Sequence, residues 1–371
     1  MELALTAEQE ELRTSLRRFF ADKAPSAEVR RLMATDEGHD PKVWAQMAGQ
    51  LGLQSLAIPE KYGGAGFGFA EVAVVLEEMG RRLYPSPYLA SAVLAAQALL
   101  ASDDETAKAE HLPGIADGTT IATLAAAERD GAWRGETLET TARPDGDAYL
   151  LTGEKHYVLD GHLADLFVVV ARTYRGPTLF TVPAGTPGLT VTPLPTLDQT
   201  RRLSRVAFDA TPGRRAGTEG AALPALHRTL DLAAVALAAE ELGGAQHVLE
   251  LSVEYAKVRH QFGRPIGSFQ AIKHKCADLL TLVESSRSAA LYAARVAEED
   301  PASLPAAAAL AQSYCADAYF TCAAETIQIH GGIGFTWEHD AHLYFKRAKS
   351  CQLLFGTPAS HRARLAGHLG L

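Results

Sequence analysis

Two glycine-bearing segments near the C-terminus hold residue types that could do chemistry. The first runs Arg259-His260-Gln261-Phe262-Gly263-Arg264-Pro265-Ile266-Gly267-Ser268-Phe269-Gln270. It reads as a helix ending in an arginine, a Gly/Pro turn, and a new helix opened by Ser268. Backbone amides at a helix start, beside a guanidinium, suit a pyrophosphate; the same string also serves as an ordinary turn between helices. The second is Gln328-Ile329-His330-Gly331-Gly332-Ile333-Gly334-Phe335-Thr336. Its glycines let backbone approach a ligand closely, and Gln328 can bond a polar edge. Alone, such a pattern fits a helix C-cap and tight turn equally well, with His330 either packed or in contact with a cofactor. Glu338, His339, Asp340 and His342 lack the third ligand that a metal site at this spacing requires, so no metal is expected. Arg287, Arg295, Lys346 and Arg347 read as solvated charges.

The elements that must position these groups are carried by 371 residues, 47% hydrophobic and 21% charged. That is globular composition, long enough for two or three domains. With 35 Lys+Arg against 44 Asp+Glu, the net charge of -9 excludes a general binder of nucleic-acid backbones. The most apolar stretches, such as Leu89–Ala101, fall short of the ~20 residues that span a bilayer. The N-terminus starts an acidic helix instead of a basic and apolar leader, so a cytoplasmic protein is expected. Cys276, Cys315, Cys322 and Cys351 show no CxxC pairing and read as small buried residues in a reducing compartment.

Residues 1–117 read as helical. Thr6 with Gln9 forms a capping box before Leu12, Leu16, Phe19 and Phe20 at helical spacing. A second amphipathic stretch follows Pro41, Ile58–Gly64 reads as a loop, and helices resume over Phe69–Leu83 and Tyr88–Ala101. Between residues 118 and 222, seven short β-rich runs separated by turn residues indicate an antiparallel sandwich or barrel. From residue 223 to 371 the chain is helical again, and Gly243-Gly244 marks close helix contact more than a break.

Taken together, the two C-terminal segments resemble the flavin-contacting motifs of the acyl-CoA dehydrogenase family, RxQFGxPI…FQ and QxxGGxG. Pro59-Glu60-Lys61-Tyr62-Gly63-Gly64 with Glu77-Glu78-Met79-Gly80-Arg81 is similar to that family's PExYGG…EElGR, and Gly153-Glu154-Lys155 to its middle-domain hairpin. The resemblance covers the whole chain. It implies an α+β multidomain fold: an N-terminal helical domain, a middle β-barrel or sandwich domain and a C-terminal four-helix bundle. It also implies FAD as cofactor, an acyl-CoA or acyl-carrier thioester as substrate and electron-transfer flavoprotein as acceptor. Arg259, Gln261, Phe262, Gln270 and Gln328, Ile329, His330, Gly331, Gly332, with Tyr157 and Thr357, would contact FAD. The C-terminal motifs would do so on the flavin of a neighbouring subunit.

The reacting half departs from the family pattern. One customary base position falls on Phe355, in Leu354-Phe355-Gly356-Thr357, where members carry Glu-Gly-Thr. The other falls on Ala233, after Leu230-Asp231, with Ala234 in place of an arginine. Where the family reads TExxxGSD this chain reads Leu124-Ala125-Ala126-Ala127-Glu128-Arg129-Asp130-Gly131. Where it reads W-I-T/S, this chain has Tyr157-Val158-Leu159, and leucine cannot donate the hydroxyl bond expected at the flavin. Substitute bases are Asp231, otherwise a coenzyme A contact or an exposed residue, and Glu240 and Glu241, two turns further on; Glu128 and Asp130 follow. The expectation is a base-less subunit of an α2β2 assembly that gives half of the FAD site to a homologous partner. A self-sufficient homotetramer with an atypical base, a non-catalytic scaffold and a flavin-dependent oxygenase are the alternatives.

Overall fold

A computed structural model describes residues 4–135, 137–146 and 148–371. The first helix, α1 (Ala7–Lys23), starts at Thr6, whose hydroxyl accepts from the Gln9 amide while Gln9 bonds back. The capping box thus fixes the helix start by satisfying two end amides. Helices α2 (Ser26–Met33), α3 (Pro41–Gly49) and α4 (Phe69–Arg82) follow. Next come a π-helical stretch over Leu89–Ala95, α5 (Ala96–Ala101) and α6 (Glu105–Ala116). The sequence reading did not resolve α2 or α6, the latter helical despite Pro113 inside it.

Seven strands come next: β1 (Ala122–Ala125), β2 (Thr141–Asp145), β3 (Ala148–Leu159), β4 (Leu166–Thr173), β5 (Gly176–Pro183), β6 (Leu189–Leu194) and β7 (Leu203–Arg215). Their order β1-β4-β2-β3-β7-β5 closes through a β4–β5 pairing, with β6 on β7. Strands β4, β2, β3, β7 and β5 thus form a closed circuit, to which β1 and β6 are each joined along one side. The expected all-antiparallel arrangement needs one correction. β1 runs parallel to β4, from Ala122↔Leu166 to Ala125↔Val169, and β2 meets β4 parallel at Thr141↔Arg172. The chain passes through the β2–β3 hairpin before β4, and that detour returns β4 in the direction of β1. Leu151, Val158, Phe167, Val169, Phe180, Val182, Val206 and Phe208 fill the interior.

The C-terminal third is α7 (Ala222–Val258), a small hairpin of β8 (His260–Gln261) and β9 (Arg264–Pro265), α8 (Gln270–Glu299), α9 (Leu304–His330), α10 (Ala341–Cys351) and α11 (Pro358–His368). Helix α9 packs on α8, α10 and α11. α7, and not Leu89–Ala101, is the longest apolar helix; it is long and apolar enough to cross a membrane, but 78% of its apolar window is buried inside the protein.

The chain divides into two compact units. A helical unit combines the chain up to Arg31 with Phe69–Tyr84 and Ala234–Leu371; the other unit is Leu32–Gly68 with Pro85–Ala233 and holds the sheet. In the helical unit α4 crosses α7 at backbone contact. A Cβ on Gly243 would lie 1.8 Å from the Glu77 carbonyl oxygen, and one on Gly80 2.1 Å from that of Glu240. Gly243-Gly244 is therefore a crossing point of helices, as its sequence suggested.

Candidate active site

At the end of α7 the Arg259 segment folds into the β8–β9 hairpin. Phe262 (φ 55°) and Gly263 (φ 76°) form its turn, a conformation that favours glycine at both places. Arg259, Gln261 and Gln270 are exposed, and Phe262 is 90% exposed. Ser268 does not open the next helix: its hydroxyl donates to the Pro265 carbonyl at 2.7 Å, and α8 starts at Gln270 after Phe269. The short turn at Ile266–Ser268 competes for the serine, as hydroxyls readily bond nearby backbone.

The second segment ends α9. Gln328, Gly331 and Gly332 are exposed, while Ile329 and His330 are buried. Gly331 has φ 64°, and a Cβ on either glycine would meet nothing within 4 Å. This surface is open backbone. His330 stacks on Tyr255 of α7 at 4.3 Å between ring centres, with His339 at 4.4 Å on another side. Its Nδ1 donates to the Thr326 carbonyl at 2.8 Å, and burial pushes its pKa below the usual histidine value. A neutral ring clamp thus joins the end of α7 to the end of α9, which brings the two sequence segments together. Tyr255 in this clamp was not singled out from sequence.

Within the sheet unit, Ala125, Ala126, Ala127 and Leu159 are at most 1% exposed. The Leu159 carbonyl accepts from the Thr123 hydroxyl at 2.6 Å. Tyr157 (φ 57°) lies in an irregularity of the β3–β7 ladder between Lys155 and Val158. Its ring faces Gly131 across 3.8 Å from the Cβ that glycine would carry, so the altered loop and the altered triplet do meet. Lys155 is wholly buried; its Nζ donates to Glu128 at 2.8 Å and to the Ala126 carbonyl at 3.2 Å. Burial pulls the lysine down to about 8 against the attraction of Glu128. For Glu128, burial acts upward, but Lys155 and the amides of Glu139 and Thr140 outweigh it and hold the carboxyl low.

The positions at which the family resemblance expects a base are apolar and packed. Ala233 and Ala234 are fully buried. Phe355 is 6% exposed with φ 60°, a strained backbone for a non-glycine residue. Thr357 caps α11 through the Ser360 amide at 3.2 Å. Asp231 is buried and accepts from Arg134 at 2.9 Å. Glu240 pairs with buried Arg347 of α10, and Glu241 accepts from Gln312 at 3.2 Å. Asp130 accepts from the Ala132 amide at 3.0 Å. Arg347 is therefore no solvated charge, and Arg287, which reaches Glu77, Gln246 and Glu284, is held in ion pairs as well. Sequence reasoning missed Arg134 altogether, because an isolated arginine in a loop carries no periodic signal.

Around His339 and His342 the contacts are structural. Asp340 pairs with Arg30 at 2.7 Å, His342 packs edge-on to Trp337, and among the described residues no three His, Cys, Asp or Glu side chains form a metal cluster.

Along the chain the elements fall into three parts, helices to Ala116, strands from Ala122 to Arg215 and helices from Ala222. Family models agree part by part: acyl-CoA dehydrogenase N-terminal domain over residues 6–119, middle domain over 123–210 and C-terminal domain over 223–370. This chain belongs to the acyl-CoA dehydrogenase family. It is 39% identical to acyl-CoA dehydrogenase IpdE2 of Mycobacterium tuberculosis, over 96% of each chain. Among solved structures it is similar to a Tcur3481-Tcur3483 steroid ACAD variant, with TM-score 0.89, 33% identity and 98% of each chain covered. It is also similar to the ChsE4-ChsE5 complex of Mycobacterium tuberculosis, with TM-score 0.90 and 30% identity over 100% of this chain and 99% of that one. The chain is thus an FAD-dependent oxidoreductase acting on the CH–CH bond of acyl-CoA.

The residues present fit FAD unequally. The open Gly331-Gly332 backbone, with the exposed Arg259 and Gln328, suits a phosphate-bearing and polar portion. The ring-side triplet offers a buried leucine in place of a hydroxyl donor.

Proposed function

We propose that this chain is the base-less subunit of a hetero-oligomeric acyl-CoA dehydrogenase and lends half of an FAD site to a homologous partner. One observation carries the reading: Phe355 and Ala233 occupy the two positions where the family resemblance expects the base, while the substitutes are engaged, Asp130 by the Ala132 amide and the other four by side chains. Asp231 faces Arg134, Glu240 faces Arg347, Glu241 bonds Gln312 and Glu128 holds Lys155. A base must be free to take a proton from the substrate Cα, and a carboxylate held by a guanidinium is a weak base.

When bound, FAD supplies the two-electron acceptor for α,β-dehydrogenation. Arg259 would complement its pyrophosphate charge, Gln270 and Gln328 its polar edges, and the Gly331-Gly332 backbone would allow close approach. Gln261, Phe262, Ile329 and His330 would shape that surface, with Tyr157 and Thr357 as the remaining contacts. Asp231 would act through Arg134 toward the coenzyme A side instead of as a base. The likeness to the ChsE4-ChsE5 complex and the Tcur3481-Tcur3483 steroid ACAD supports a two-chain α2β2 assembly acting on a bulky acyl thioester. Electron-transfer flavoprotein would be the acceptor, in the cytoplasm, and the domains would divide near residues 117 and 222.

Co-expression with a homologous subunit tests this. The chain purified alone should hold little FAD by absorbance, and the pair should run as one species of mixed composition by native mass spectrometry with FAD bound. Stoichiometric FAD on the homogeneous protein would overturn it.

A further inference from the structure

In the aromatic stack beneath the glycine turn, hydrogen bonds fix both imidazoles in one neutral form. His330 is 4% exposed and lies between Tyr255 of α7, at 4.3 Å, and His339, at 4.4 Å. Its Nδ1 carries the proton given to the Thr326 carbonyl, so a second proton could enter only at Nε2. That atom is buried with no hydrogen-bond partner. His339, half-buried, is fixed the other way round. Its Nδ1 accepts from the Ala341 amide at 3.1 Å, and a proton there would remove the acceptor at the start of α10.

The stack reaches both flavin-type segments. Tyr255 lies one helical turn before Arg259, whose amide donates to the Tyr255 carbonyl at 2.9 Å. Gly331 directly follows His330, and the turn folds back so far that a Cβ on Gly334 would lie 2.9 Å from the His330 Cβ. Burial pulls both histidines below the usual value. Facing His330 are the Tyr255 ring and His339, and the latter opposes a proton on it. Facing His339 are Asp340, which favours a proton, and Arg30, which opposes it. Those two are paired with each other at 2.7 Å, so their effects on the ring largely offset. Two imidazolium rings stacked this closely would also repel.

We propose that the Tyr255–His330–His339 stack is an acid-sensitive latch on the surface that contacts FAD: neutral, it holds the Arg259 and Gly331 segments together, and a proton on either imidazole releases them. This rests on the reading of that surface as an FAD contact. The closed stack binds a proton less readily than the open one, whose imidazoles titrate at ~6.5; opening is therefore favoured as pH falls through that value. Over the pH unit below it, the open fraction should rise about tenfold if one imidazole is protonated on opening and about a hundredfold if both are.

Hydrogen–deuterium exchange of the full chain, read by mass spectrometry at about pH 7.5 and about pH 5.5 and corrected for the intrinsic exchange rate, tests the latch without FAD. Strands β3 and β7 serve as the reference for global opening. Protection over residues 255–270 and 326–341 should fall in wild type at the lower pH. His330→Phe/His339→Asn keeps a ring on Tyr255 and an acceptor for the Ala341 amide but cannot take a proton, so its protection there should be the same at both pH values. His339→Asn alone guards against the double variant failing to fold, and its fall should be smaller than that of wild type. Equal protection of wild type at both pH values, or variants that lose protection as wild type does, overturns the latch. In the complex co-expressed with a homologous subunit, wild type should release more FAD on gel filtration at the lower pH, whereas release by the double variant should not depend on pH. Loss of protection with FAD retained upholds the latch and counts against the FAD reading of this surface.

Discussion

Replacing Lys155 with methionine tests whether the Leu124–Gly131 loop is held by a buried charge pair. Lys155 is completely buried, and its Nζ makes two bonds, 2.8 Å to Glu128 and 3.2 Å to the Ala126 carbonyl. Methionine fills a similar volume and donates nothing. Glu128 would then stay buried with only the amides of Glu139 and Thr140, at 2.7 and 2.9 Å. A hydrogen bond to a charged group contributes ~1.5–3 kcal/mol and one to a neutral carbonyl ~1 kcal/mol. Leaving one partner of a buried pair alone costs about 3–5 kcal/mol, in line with that sum. Adding Glu128→Gln removes the stranded charge, so Lys155→Met/Glu128→Gln should be more stable than Lys155→Met. Urea unfolding followed by circular dichroism, with an unchanged slope, measures both. A Lys155→Met cost below ~1 kcal/mol, or a double variant whose cost equals the sum of the singles, refutes the reasoning.

Gly243→Ala forces a Cβ to within 1.8 Å of the Glu77 backbone oxygen, and overpacking of this kind costs ~1–3 kcal/mol or more; the urea midpoint should fall accordingly. His247 of α7 packs on Tyr344 at 5.0 Å, and burial, then Arg81 and Arg82, pull its pKa down to about 4. Its unfolded value lies near 6.5, so the unfolded chain binds the proton first on acidification. Stability is lost as pH falls from about 6.5 through 4, by up to ~3 kcal/mol. His247→Phe should flatten that part of a melting-temperature profile, and a slope identical to wild type would contradict the assignment. Arg259→Gln, at an exposed position, should leave the melting temperature alone and raise FAD loss from the co-expressed complex on gel filtration about tenfold or more.

Much of the architecture was legible because local rules agree with the packing. The capping box at Thr6, the helical period of α4 and the turn-separated strand runs each point to the element that forms. Gly243-Gly244 was readable as a crossing because a glycine pair in an apolar helix otherwise only weakens it. The parallel β1–β4 pairing was not legible, since strand patterning gives faces and not partners. Ser268 misled for a related reason: a short turn bonded its hydroxyl first. At the site, the apolar character of Phe355 and Ala233 could be read directly from residue types, and both are buried. The fate of Asp231, Glu240 and Glu241 could not, because their partners Arg134, Arg347 and Gln312 lie far along the chain. Long-range ion pairs leave no periodic trace, and Arg347 even looked like a solvated charge.

The most direct measurement is anaerobic titration of FAD-reconstituted protein with an acyl-CoA, followed by flavin absorbance, for the homogeneous chain and for its complex with a homologous subunit. The account predicts bleaching only in the complex, and unchanged bleaching when Phe355→Leu is placed in this chain of the complex. Bleaching of the homogeneous chain at the rate of the complex would contradict it.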